Sequence, residues 1–142
     1  MTGVWVLVAT LAAAVAAGVL LKARNGRVRA ARPATRELPA PVTAALDPAS
    51  AVTLVQISTT FCAPCRHAKA VLGHLADRTD GLHHVELDVT NQPEVAQSLS
   101  VLRTPTTIAL TPDGRELLRV GGVPKGPELL EALRPHLTTR TS

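Results

Sequence analysis

Aromatic side chains are almost missing from this chain of 142 residues: it has Trp5, Phe61 and no tyrosine. A core formed without them must be packed from valine, leucine, isoleucine and alanine. Cysteine is nearly absent too, with Cys62 and Cys65 the whole supply. No second pair exists to complete a four-cysteine zinc site. The histidines do not fill the gap, since His67 and His74 stand seven apart rather than three to five. A purely structural bridge across two intervening residues would remove little chain entropy and stabilise the fold weakly. Acids are missing from the first 36 residues, where Lys22, Arg24, Arg27, Arg29, Arg32 and Arg36 stand unopposed. From Glu37 onward there are nine basic and eleven acidic residues. The formal net charge of +4 therefore belongs to one short stretch. With no basic stripe and no aromatic platforms, nucleic-acid binding is excluded as the function.

Charge is also absent from residues 3–21, Gly-Val-Trp-Val-Leu-Val-Ala-Thr-Leu-Ala-Ala-Ala-Val-Ala-Ala-Gly-Val-Leu-Leu. As a helix these residues span about 28 Å, close to a bilayer core. A cleaved signal peptide carries its positive charges before the apolar run; here they follow it. No cysteine ends the run, so it offers no lipoprotein anchor. The expectation is one transmembrane helix over residues 1–21, held in the lipid bilayer through 3–21, with Trp5 at an interface. Six basic residues just after it predict that the remainder of the chain lies in the cytoplasm. Residues 22–50, basic and then rich in proline and alanine, read as a linker, with a short strand near Glu37–Leu38 or a helical turn near Val42–Leu46.

Residues 51–140 carry the periodic pattern of a domain. Val52–Ser58 is an apolar run that reads as a buried strand. Ala68, Val71, Leu72, Leu75 and Ala76 then mark one helical face, predicting a helix from about Ala63 to Arg78. Pro64 suits its first turn. His83–Val89 reads as a strand, and a strand–helix–strand unit implies a parallel pair. A short helix is expected from Pro93 to about Leu99, then a strand over Val101–Leu110. Thr111-Pro112-Asp113-Gly114 is a turn, Glu116–Val120 an antiparallel strand, and Pro127–Leu137 a last helix. The fold class is α/β, a mixed sheet flanked by helices.

The two cysteines sit where the first strand hands over to the first helix of the domain. Unpaired N–H groups and the positive end of the helix dipole face that place. A free thiol ionises near pH ~8.5, and such contexts lower this to roughly 3.5–7.5. The thiolate is the attacking species in thiol–disulfide exchange, so the position points to redox chemistry.

Phe61-Cys62-Ala63-Pro64-Cys65, Thr104-Pro105-Thr106, Pro112-Asp113-Gly114 and Val120-Gly121-Gly122 together resemble the thioredoxin family, over about residues 50–138. The resemblance implies a cis Thr104–Pro105 bond beside the dithiol. It implies that Cys62 attacks and Cys65 resolves, and that Phe61, Ala63, Pro64, Thr104 and Pro105 bind substrate. It also implies protein disulfides as substrates, an electron-donor reductase as partner and no cofactor; the spacing of cysteines and histidines predicts no metal, and a small disulfide-exchanging domain needs no oligomer, so a monomer is expected. Two departures stand out. Phe61 and Ala63 replace the usual Trp and Gly. Gln56 stands where the family often buries an aspartate, so its proton-moving role falls to water or to another group, Glu86 if it points inward. The expected activity is a membrane-anchored disulfide reductase. Its rivals are an extracytoplasmic reductase or oxidase, such as one serving cytochrome maturation, and a non-catalytic redox-sensing docking domain.

Overall fold

The computed structural model describes residues 1–30 and 37–137. Arg32, Pro33 and Arg36, and the chain beyond Leu137, lie outside the described residues. The elements in order are α1 (Thr2–Arg24), β1 (Val28–Ala30), α2 (Ala40–Ala45), β2 (Val52–Ser58), α3 (Ala63–Arg78), β3 (Leu82–Asp88), α4 (Pro93–Ser98), β4 (Thr106–Leu110), β5 (Glu116–Gly121) and α5 (Gly126–Leu137).

One five-stranded sheet has the order β1-β5-β4-β2-β3. β2 and β3 are parallel, and every other pairing is antiparallel. β2 therefore lies inside the sheet, and all seven of its residues are buried. Alternate residues point to opposite faces, which divides the core in two. Val52 and Leu54 join Leu72 of α3 and Leu129 and Leu133 of α5 on one face. Val55 and Ile57 join Val42 of α2, Val95 of α4 and Ile108 on the other. Aliphatic packing on both faces replaces the missing aromatics.

α1 is longer than the apolar run because the helix continues through Lys22, Ala23 and Arg24 before Asn25 caps it. It is long and apolar enough to cross a bilayer, and a signal sequence has the same length and character. Every residue of it is exposed.

The stretch 22–50, expected to be a linker with a short strand near Glu37–Leu38 or a helical turn near Val42–Leu46, holds two elements. Val28, Arg29 and Ala30 pair with Val120, Arg119 and Leu118 as the edge strand of the sheet. Three residues alternating with arginine give too little apolar signal to betray a strand paired on one side only. Residues 40–45 form α2, with Pro39 at its start and Val42 fully buried under β2; Glu37–Leu38 is not a strand. The expected strand from Val101 begins only at Thr106. Pro105 has no N–H to give a ladder, and the Thr106 hydroxyl donates back to the Arg103 carbonyl at 2.7 Å, turning the chain ahead of the strand.

Truncating Val42 to alanine tests whether α2 belongs to the domain. The expected loss is about 1–3 kcal/mol in chemical denaturation; an unpacked linker residue would give no change.

Candidate active site

Cys62 and Cys65 are joined in a disulfide with Cα atoms 5.3 Å apart. Cys62 is the N-cap of α3 in an extended conformation, and no side chain caps the helix there. Its sulfur thus stands among backbone N–H groups that the helix leaves unpaired. Cys65, one turn on, points inward and is 3 % exposed, whereas Cys62 is half-buried. Ala63 and Pro64 between them are exposed, and Phe61 projects into solvent at 96 % exposure.

The loop before Cys62 is held from two sides. The Thr60 N–H donates to the Thr90 hydroxyl at 2.9 Å, and the Thr60 hydroxyl donates to Asp88 at 3.2 Å. Asp88 also accepts from the Thr90 N–H and hydroxyl. These donors hold its carboxyl below the usual carboxylate range. On the other side the Thr59 and Thr104 hydroxyls meet at 3.5 Å, next to the cis Thr104–Pro105 peptide. The loop of Thr104–Pro105 is thereby brought against the cysteine turn, about forty residues away in sequence.

A family model described as Thioredoxin matches residues 42–134. The chain is 35% identical to the thioredoxin of Staphylococcus saprophyticus over 89 residues, covering 62% of this chain and 85% of that one. It is 33% identical to thioredoxin H2 of Arabidopsis thaliana, over 51% of this chain and 53% of that protein. Among solved structures, a thioredoxin from Nicotiana alata aligns with a TM-score of 0.53 at 29% identity, covering 61% of this chain and 73% of that one. A single-site mutant of the thioredoxin from Halobacterium salinarum gives 0.56 at 22% identity, over 62% and 76%, a likeness of fold. The chain belongs to the thioredoxin family. With its Cys-x-x-Cys pair at disulfide distance, it is a thioredoxin-like disulfide oxidoreductase.

The interior beneath the disulfide holds a polar connection. Gln56 is fully buried on the α3 face of β2. Its Nε2 donates to the Cys65 carbonyl at 2.8 Å, and its Oε1 lies 2.9 Å from His84 Nε2. Since the amide oxygen can only accept, the imidazole carries its hydrogen on Nε2. The chain from His84 through Gln56 to Cys65 thus joins β3, β2 and the first turn of α3. His84 escaped the sequence analysis because histidine spacing suits a search for metal sites, not a cross-strand partner. Its clue was the two-residue period of His84, Glu86 and Asp88 beside a buried glutamine.

Glu86 pairs across the sheet with Gln56. Its carboxylate does not enter the core. It stands 3.7 Å from Lys69 Nζ and lines a pocket with Cys62, Cys65, Arg66 and Asp88. Arg66, Lys69, Glu86 and Asp88 are the ionisable groups around that pocket. His67 is exposed on the helix surface. Among the described residues no group of three or more potential ligands could hold a metal ion.

Burial holds the His84 pKa below its ordinary 6.5, with Lys69 and His83 acting in the same direction and Glu86 opposing them. The unfolded chain then binds the proton more readily than the folded one. The stability this contributes is complete above about pH 6.5 and is lost as pH falls through the lower folded value. Urea midpoints should therefore rise with pH up to about 6.5. His84→Gln should flatten that rise; an unchanged slope would assign it to other groups.

Proposed function

We propose that the chain is a membrane-anchored thiol–disulfide oxidoreductase that reduces protein disulfides. The observation that carries this is the unequal exposure of the two cysteines at the start of α3. In the reduced protein the Cys62 thiolate, the more accessible sulfur, attacks a substrate disulfide. A mixed disulfide forms, and the departing substrate sulfur takes a proton. Cys65, held beneath, then attacks Cys62, releases the second substrate sulfur and closes the Cys62–Cys65 bond. Phe61, Ala63 and Pro64 give the substrate an exposed surface on one side. Thr104 and Pro105 lie on the other, where the backbone of residue 104 can pair with an extended substrate segment. A dithiol-regenerating reductase returns the two electrons. The protein works as a monomer, since exchange needs one dithiol.

The domain begins ahead of residue 51, because β1 and α2 pack into it. We take α1 as a membrane span: its charges follow the apolar run, and among the described residues each one of α1 is exposed. The basic residues behind it favour a cytoplasmic domain.

The soluble part of the reaction is tested by insulin reduction with dithiol recycling. Wild type should turn over. Cys65→Ser should stop turnover and accumulate a covalent Cys62–substrate adduct, visible as a dithiothreitol-sensitive band. No adduct, with turnover intact, would remove Cys65 from the resolving role.

The side of the membrane is tested with a membrane-impermeant maleimide on mildly reduced cells. Labelling of Cys62 only after permeabilisation is expected. Labelling of intact cells would move the chemistry to extracytoplasmic disulfides instead.

A further inference from the structure

Between the end of α1 and the start of β1 stand three residues, Asn25, Gly26 and Arg27. β1 is antiparallel to β5, β5 to β4, and β4 to β2. The start of β1, the end of β5, the start of β4 and the end of β2 therefore share one end of the sheet. That same end carries Cys62 and Cys65. A single row of partners crosses the sheet, from Val28 to Val120, from Val120 to Thr107 and from Thr107 to Gln56. Gln56 in turn holds the Cys65 carbonyl. The row spans three strand spacings, about 14 Å. Val28 is four steps along the chain from Arg24, a reach of at most about 14 Å.

The junction is packed. The Gly26 N–H donates to the Gly121 carbonyl at 2.7 Å, and the Gly122 N–H donates to the Pro105 carbonyl at 2.8 Å. Gly26 is buried with φ +76°, and a side chain there would strike the Val123 carbonyl. Gly122, at φ +86°, lies against the Asn25 side chain. The chain leaving α1 thus touches the last residue of β5, next to Gly122, which contacts the Thr104–Pro105 loop. Since α1 buries none of its residues, it leaves the domain without folding back over it. The end of the domain it leaves from also bears Phe61 and Leu102, 96% and 98% exposed, with Arg66 and Arg103 exposed at that same end and Asp88 and Glu94 as acids there. Bare apolar side chains among cations suit the interface of a bilayer.

We propose that the dithiol is held facing the bilayer and exchanges with cysteine pairs of integral membrane proteins lying close to the membrane surface. Freely diffusing soluble proteins are the disfavoured partners. This rests on α1 as a membrane span and holds for either side of the membrane. The exchange balances within the pair. The partner's S–S bond opens as Cys62–Cys65 closes, and two electrons pass to the partner, whose two sulfurs take up the protons. Confinement to one surface raises the effective concentration of such partners and lowers that of any disulfide the bilayer keeps out of reach.

The test uses the full chain, reduced and reconstituted in phosphatidylcholine/phosphatidylglycerol vesicles. The probes are one disulfide-bridged peptide, either free or coupled to lipid through a spacer of about 14 Å, the three strand spacings between β1 and β2. A variant with a rigid helical insertion of about 20 residues after Arg24 lifts the domain by about 30 Å. The insertion should slow exchange with the lipid-coupled peptide at least about tenfold, as expected when a tether no longer allows simultaneous engagement. Exchange with the free peptide should stay within about twofold of wild type, because the site is untouched. Equal rates of both chains on the lipid-coupled peptide, with both floating with the vesicles, would overturn the proposal alone. A chain that does not float with vesicles overturns the membrane span and the proposal with it. A floating chain that reduces neither peptide overturns the redox assignment instead.

Discussion

The burial of β2 on both faces is the constraint from which the rest follows. A strand with helices on each side and strands on each edge has no freedom to slip, since a one-residue shift would turn each side chain to the wrong face. Its last residue, Ser58, is buried, and only four residues separate it from the first turn of α3. The cysteine turn therefore has little slack. It is pinned by the strand beneath, by the Thr60–Thr90–Asp88 bonds to one side and by Thr59–Thr104 to the other. The exposure of Cys62 and the burial of Cys65 are consequences of where the helix starts, not independent features.

Much of this was legible in the residues. β2 and α3 fall on Val52–Ser58 and Ala63–Arg78, the bounds their apolar patterns predict. The strand reads as a continuous apolar run because it is buried on both sides, and the helix shows a period that no strand could produce. The cysteine pair was visible through its position between them. What escaped were elements whose stability is tertiary. β1 is three residues with two of them exposed, and it exists because β5 offers an unpaired edge. α2 was legible only as a helical turn near Val42–Leu46, because six residues are too few to be helical alone and one buried valine holds them. His84 escaped for a related reason: its partner lies on another strand, and only the parallel register brings Gln56 within reach.

The short junction after α1 changes what a tether means. A flexible linker would let the domain tumble over a radius set by its length, and the direction of the disulfide would carry no information. With α1 taken as a membrane span, as proposed above, a strand that pairs within four residues of the helix end would make the tether an orientation. β1 thus has two effects at once. It covers the edge of β5, which as a bare edge would invite pairing with other chains, and it fixes which end of the domain lies nearest the end of α1.

Gln56 shows how the interior was reconciled with its neighbours. A carboxylate buried at this point needs a compensating charge, since an isolated buried ion costs several kcal/mol even after relaxation. An amide avoids that cost while supplying both a donor, to the Cys65 carbonyl, and an acceptor, toward His84. Burial and the nearby Lys69 both favour the neutral imidazole, so the buried connection carries no charge in the neutral range. The amide cannot accept a proton from Cys65. Glu86, the carboxylate lying across the sheet from Gln56, is paired with Lys69 at the pocket rim instead of pointing inward. Geometry is fixed in the core by neutral hydrogen bonds, and charge is kept at the rim, where solvent stabilises it.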